Sequence, residues 1–185
     1  VPKKKSAASP EKILESKYVF KGRAVNLRVD TVITSDGRRT TREIVEHPAC
    51  IAVVPIDEKD NVLMVRQYRS PIGKSLLEIP AGGIEKGETV KAAVIREMQE
   101  EIGFKPRKLV SLTGFYSSAG FCNEYLHLYL ATDLIPSRLH AEDTNEIELV
   151  RVPFKQTLGM IKSGEIQDAK SIAGLLLLRE YRKTL

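Results

Sequence analysis

The sequence predicts an α/β fold built on a mixed sheet, and three observations carry the prediction. Extended segments outnumber helical ones along the 185 residues. One of them, residues 50–56, is a near-continuous apolar run of the kind needed by a strand buried on both faces. Helical periodicity is interspersed with the strands, at residues 88–102 and again from Pro153 onward, as in α/β domains. A chain of this length closes a core as one domain with at most a short appendage.

The elements follow in order. Residues 1–16 are expected as a disordered leader, because Lys3, Lys4 and Lys5 lie among Ser, Ala and Pro. Residues 17–46 read as an N-terminal antiparallel strand region. Val25, Leu27 and Val29 alternate with polar residues, Ser35-Asp36-Gly37 supplies a turn, and residues 40–45 continue extended. The main domain is then 47–185. Residues 57–61 make a polar turn and residues 62–68 a returning strand. Ala81-Gly82-Gly83 reads as a glycine-rich loop and Lys86-Gly87 as a turn. The following helix has Thr89 suited to its first turn and Gly103 as its stop. Residues 108–116, 124–131 and 147–152 are further extended segments. Pro153 suits a first helical turn, Phe154, Leu158 and Ile161 share a face, and Gly164 ends that helix. A last helix spans residues 171–182.

Composition narrows the function. Apolar residues make up 42% and charged residues 29%, as in an ordinary globular protein. No apolar run approaches the roughly 18 to 20 residues that cross a bilayer, so no membrane partner is expected. The N-terminal lysines have no apolar stretch behind them, which makes the cytoplasm the expected location. The net charge is +5, yet no basic run is interleaved with aromatics, and a nucleic-acid partner is not expected. Cys50 and Cys122 lack metal or redox spacing and read as reduced thiols. His47, His127 and His140 are too scattered to suggest a zinc site.

The chemistry lies in residues 78–104. With about 100° of rotation per residue, Val90, Val94, Ile95, Met98 and Ile102 fall on a core-facing arc, and Glu97, Glu100 and Glu101 on the arc beside it. Three carboxylates so placed repel unless water or cations screen them. Beside a loop of small residues they suit a hard cation such as magnesium, which takes oxygen ligands and shares them with phosphates. Glu97 and Glu101, one turn apart, have the spacing to grip one metal cluster, and Arg96 can pair with Glu100. A helix reading Arg-Glu-x-x-Glu-Glu is by itself an ordinary solvated face. The joint pattern is not: Gly82, five residues, Glu88, seven residues, Arg96-Glu97, Met98, one residue, Glu100-Glu101, one residue, Gly103 and Phe104. The seven glycine, glutamate and arginine identities among these would arise by chance at one start with probability on the order of 10⁻⁸ at average composition.

That pattern resembles the box of the Nudix hydrolase family. The resemblance implies an α/β/α sandwich with the box as loop–helix–loop, and magnesium as cofactor with manganese as a substitute. Glu97 and Glu101 would be the principal metal ligands, Glu100 would lie close to the metals, and the carbonyl of Ala81 would complete the cluster. Glu88 would support the box. Gln67-Tyr68-Arg69 ahead of Leu77-Glu78-Ile79-Pro80-Ala81-Gly82 is similar to the ADP-ribose pyrophosphatase branch, where this arginine reaches the diphosphate. A guanidinium fork meets phosphate oxygens bidentately; the alternative is a surface arginine at a strand end. Arg42 and Glu43 would meet the nucleoside end, the alternative being a cross-strand ion pair.

The implied reaction is magnesium-assisted hydrolysis of a small nucleoside diphosphate sugar, ADP-ribose, to AMP and ribose 5-phosphate. The branch also implies a homodimer, with the strands of residues 17–46 packed across a two-fold axis and Arg42 and Glu43 near the partner's metal site. The alternative is that these strands fold back on their own core. Two departures bear on the substrate. Ala119 stands where the branch commonly carries a signature proline, which keeps another sugar nucleotide such as GDP-mannose open. Asn145 falls where the family has its loop glutamate, so Glu142, Asp143 or Glu146 must handle the attacking water, and Glu146 is taken here. A non-catalytic nucleotide-binding module is the remaining alternative, opposed by the complete set of box carboxylates.

Overall fold

Side-chain alternation builds the main sheets from the inside. In the computed structural model, which describes residues 10–141 and 146–184, every residue of β4 (Cys50–Pro55) is buried. Successive side chains leave opposite faces of a strand, so both faces must be covered. Cys50, Ala52 and Val54 enter one apolar cluster, and Ile51 and Val53 enter another. The same division runs through β5 (Asn61–Arg69), with Val62 and Met64 opposed to Leu63 and Val65. In β9 (Tyr125–Pro136), Leu126, Leu128 and Leu130 oppose Tyr129 and Ala131. Helix α1 (Val90–Glu101) supplies Ala93, Val94 and Met98 to the second cluster. Helix α3 (Ala169–Arg182) supplies Leu175 and Leu178 to the first, flanked by Phe154, Met160 and Ile161 of α2 (Phe154–Ser163). One apolar cluster per face, each closed by helices, is the α/β/α layering.

Two sheets make up this unit, which comprises residues 49–117 and 125–185. One runs in the order β7 (Ala81–Gly83), β4, β9, β8 (Phe104–Tyr116), and the other β10 (Glu148–Pro153), β5, β6 (Lys74–Glu78). β4 is parallel to β9 and antiparallel to β7, so the first sheet is mixed. Pro106 lies within β8 without breaking a central ladder, because β8 is the edge strand.

Among the described residues, the second unit comprises 10–48 and 118–124. It holds the antiparallel strands β1 (Lys12–Lys21), β2 (Asn26–Ile33) and β3 (Arg39–Glu46), paired in that order. Gly37 turns β2 into β3 at φ +83°, a conformation that a Cβ disfavours. Val45 donates its N–H to the Phe121 carbonyl (2.8 Å), which joins the 118–124 segment to β3. β1 is exposed along its whole length and presents Ile13, Leu14, Val19 and Phe20 to solvent.

Four differences from the sequence reading have physical causes. Strand β1 begins at Lys12, inside the stretch expected as leader, because residues from Lys12 onward find ladder partners on β2. Ala81–Gly83 is not a loop: it is the short strand β7, with Ala81 opposite Ala52, Gly82 opposite Ile51 and Gly83 opposite Cys50. The sequence pattern also lacks any sign of β6, whose residues carry little alternation and are ordered by pairing with β5. Ile95 is half-buried and belongs to neither apolar cluster, while Glu101 of the expected carboxylate arc is buried. Cys50 is a buried free thiol and Cys122 a half-buried one. Among the described residues, no helix is long and apolar enough to cross a membrane.

Candidate active site

Helix α1 starts where Thr89 caps it, its hydroxyl accepting from the Ala92 N–H at 3.2 Å. It stops at Gly103, which takes φ +76° just past the end. Between these limits Arg96 organises the acidic face. Its Nε and Nη2 donate to the two carboxylate oxygens of Glu88, each at 3.0 Å. Nη1 donates to Glu97 Oε1 at 2.7 Å and to Glu100 Oε2 at 3.0 Å. Nη2 also donates to the Gly83 carbonyl at 2.8 Å, which ties β7 to the helix. Hydrogen bonds from Arg96 hold the Glu88 carboxyl below its ordinary range, and those of Glu88 foremost raise Arg96. The expected Arg96–Glu100 pair is present as one contact of several, and Glu88 supports the box by gripping Arg96.

Glu101 projects from the same helix toward the backbone of β7. It is 7% exposed, and its Oε2 accepts from the Ala81 N–H at 3.2 Å. Burial first, and the neighbouring Glu97 charge second, push its carboxyl up to about 8. Gly82 leaves room for the acidic face: a Cβ at that position would land on the Glu97 carboxylate and displace it. β7 and α1 are thus brought together closely enough to hold Glu97, Glu101 and the Ala81 backbone in one place. The donor set is anionic and all oxygen, and its buried member is destabilised by its neighbour. A hard divalent cation is the partner that fits.

A second buried acid lies three residues before Ala81. Glu78, at the end of β6, is 1% exposed. Arg69, at the end of β5, grips it side-on, Nε to Oε1 at 2.7 Å and Nη2 to Oε2 at 2.6 Å. Lys170, in the first turn of α3, also donates to Glu78 Oε2. Burial raises this carboxyl, but hydrogen bonds and charges from Arg69 and Lys170 outweigh it, and Glu78 sits below its ordinary value. The first turn of α3 is fixed in turn. Asp168 caps it by accepting from Ser171 N (2.9 Å) and Ser171 Oγ (2.6 Å), and Ser171 Oγ accepts from the Ile79 N–H at 2.8 Å.

The other expected site residues are distributed as follows. In the N-terminal unit Arg42 and Glu43 are exposed on β3, and Arg42 forms an ion pair with Glu11, Nε to Oε2 at 3.3 Å. An ion pair was the alternative weighed for Arg42, although its partner is Glu11. Ala119 is exposed in the turn at residues 118–121, where Phe121 N donates to Ser118 O. Glu146 is an exposed turn residue just before β10. Glu142, Asp143 and Asn145 lie outside the described residues. Reading the sequence alone missed Glu78, Lys170, Asp168 and Ser171. An acid inside the apolar run Leu77-Glu78-Ile79-Pro80 was a usable signal for the first. Lys170, 92 residues away in sequence, offered none.

The NUDIX domain family matches residues 46–175, and the family described as nucleoside diphosphate sugar hydrolase N-terminal domain matches residues 11–45. An ADP-ribose pyrophosphatase of Bacillus subtilis (strain 168) is 33% identical over 171 residues, covering 91% of this chain and 92% of that protein. A methanol dehydrogenase activator of Bacillus methanolicus is 36% identical over 171 residues with the same coverage. The crystal structure of an ADP compounds hydrolase superposes with a TM-score of 0.88 at 24% identity, over 97% of this chain and 98% of that one, a likeness of fold.

Proposed function

This chain belongs to the Nudix family, and from that premise we propose that it hydrolyses the diphosphate of ADP-ribose to AMP and ribose 5-phosphate with magnesium. The observation that carries the reading is the buried Glu101 carboxyl set against the Ala81 N–H, with Glu97 one turn before it on α1. Glu97 and Glu101 would hold the cation, with Glu100 close by and the Ala81 carbonyl as a further oxygen donor; manganese fits the same donors. A bound magnesium ion supplies charge neutralisation for the diphosphate and acidity for the attacking water.

The chain's own groups do the rest. Arg69, pinned on one side by Glu78, binds the diphosphate oxygens with the remaining edge of its fork and fixes their orientation. Glu146, exposed ahead of β10, takes the proton of the attacking water. The water oxygen then bonds to one phosphorus as the bridging oxygen leaves with the other. Arg42 and Glu43 serve the nucleoside end. The exposed apolar side chains of β1 support a homodimer, since a strand with so much apolar surface gains by covering it with a second copy.

A panel of sugar nucleotides and nucleoside triphosphates, assayed in magnesium with a phosphatase to release phosphate from the products, tests the substrate. ADP-ribose is expected to lead in kcat/KM. Ala119 in place of the signature proline keeps GDP-mannose open as the second reading, and a GDP-mannose preference of tenfold or more would establish it instead. Light scattering tests the dimer, and a monomeric mass with full activity would remove it.

A further inference from the structure

Glu78 carries one negative charge and serves two cations. Arg69 meets it through Nε and Nη2, the side-on arrangement, and Nη1 makes no hydrogen bond among the described residues. The Arg69 side chain is 39% exposed, so the unbonded edge of the fork is available to an anion. Paired with a full carboxylate and nothing else, however, Arg69 would present almost no net charge, and a diphosphate would be repelled by the acid behind it. Lys170 changes that balance. Its ammonium bonds to Glu78 Oε2, and the three groups together keep one positive charge.

Asp168 lies 3.1 Å from the same ammonium, so Lys170 is shared between two acids. The other Asp168 oxygen caps α3, whose amino end carries the partial positive charge that answers an acid there. Lys170 is also held in place by its neighbours. Ser171 Oγ receives the Ile79 N–H, and a Cβ on Gly174 would come within 2.9 Å of the Ile79 side chain. The first turn of α3 is therefore docked on the Ile79 backbone and side chain, which sets where the Lys170 side chain begins.

We propose that Lys170 is a positioning residue for diphosphate recognition, acting through Glu78 to keep the Arg69 fork fixed and to offset the Glu78 charge behind it. The inference rests on the reading of Arg69 as the diphosphate ligand. It separates from the choice of ADP-ribose, because only the diphosphate is concerned.

The test is equilibrium titration calorimetry in EDTA, where nothing is hydrolysed, with ADP-ribose and inorganic pyrophosphate as probes. Lys170→Met keeps the aliphatic stem and removes the charge. It is expected to weaken both probes by about fivefold or more, while Lys170→Arg stays within about twofold of the parent protein. In magnesium the Met variant should raise KM by a similar factor and leave kcat within about threefold, as expected for lost binding common to ground and transition states. A purely structural role would lower the Tm and leave the Kd of the folded protein unchanged. Met-variant affinities equal to the parent's overturn the proposal, as does failure of Lys170→Arg to restore binding at an unchanged Tm. So does a parent protein that binds neither probe below millimolar concentration. Should Lys170→Met fail to fold, Lys170→Gln replaces it under the same criteria. If ADP-ribose binds no better than pyrophosphate, the ADP-ribose reading fails while the pyrophosphate ratios still decide the role of Lys170.

Discussion

Glu78 and Glu101 flank the same stretch of backbone, both are buried, and their surroundings act in opposite directions. Glu78 is held below its ordinary carboxyl range by two cations that bond to it directly. Glu101 is pushed up to about 8, with one backbone N–H as its hydrogen-bond donor and another acid nearby. Arg69 and Lys170 influence Glu101 only from a distance, as the smaller contributions to its shift. A protein that can satisfy one buried carboxylate so fully has left the other short of positive charge. The first carboxylate is completed by the chain itself; under the proposed function the second would be completed by a cation.

The largest expected effect breaks the second site. Glu97→Gln and Glu101→Gln should each lower kcat in magnesium by at least about a hundredfold, because each removes an anionic oxygen from a cation that acts in the transition state. Glu101→Gln should do so with a Tm in EDTA at neutral pH no lower than the parent's, since the amide carries no charge to bury. Near-normal turnover in either variant would withdraw the metal assignment. Glu78→Gln should behave in the opposite way. It leaves Arg69 and Lys170 facing each other without their anion, and breaking a buried pair of this kind costs about 3 to 5 kcal/mol. Differential scanning calorimetry should then show the Tm falling by roughly 6 °C or more. A Glu78→Gln protein as stable as the parent would mean that solvent already screens the cluster.

A pH series in EDTA sharpens the contrast. Glu101 has a folded pKa of about 8, above its ordinary 4.5. Between those values the unfolded chain has lost a proton that the folded chain keeps, so stability must fall as pH rises through that window. The stability is complete below 4.5 and lost as pH passes 8. Glu78 has the reverse sign. Its folded value is depressed, and its contribution is present above the ordinary carboxyl range and lost on acidification through the folded value. Subtracting the Glu101→Gln profile from the parent's should isolate the decline between the ordinary value of 4.5 and the folded value of about 8. A parent and variant with parallel Tm profiles between about pH 5 and about pH 8 would show that Glu101 ionises normally.

The two acids also differ in how visible they were before folding. Helical periodicity alone put Glu97, Glu100 and Glu101 on one arc, and the spacing to Gly82 and Glu88 marked that arc as a site. The strands at residues 50–55 and 125–136 were legible because apolar alternation is a local property. β7 was not, because two glycines and an alanine carry no pattern and become a strand only through pairing with β4. Glu101 was assigned to the acidic arc correctly, but its burial depends on β7 and could not be read from α1. Glu78 was seen only as part of a motif. Its stabilising partners come from β5 and α3, and the contact that distinguishes it most from Glu101, with Lys170, joins segments that share no local signal.

The smallest expected effects concern the helix ends behind the two acids. Thr89 caps α1, the helix of Glu101, by accepting one N–H at 3.2 Å. Asp168 caps α3, the helix that presents Lys170, by accepting two hydrogen bonds at 2.9 and 2.6 Å and by pairing with Lys170 at 3.1 Å. Thr89→Ala should cost about 1 kcal/mol, a Tm loss of about 2 to 4 °C, because one orphan N–H returns to water at an exposed helix start. Asp168→Ala should cost more, since the charged cap is lost, Ser171 Oγ loses its acceptor, and the hold on Ile79 loosens with it. The functional readouts should separate as well. Thr89→Ala fraying stops within a turn of Val90 and leaves pyrophosphate binding in EDTA unchanged. Asp168→Ala frees Lys170 to shift away from Glu78 and weakens that binding. Equal Tm losses with equal pyrophosphate affinities would mean that the two helix starts are interchangeable supports, and that α3 contributes packing to the site but no charge.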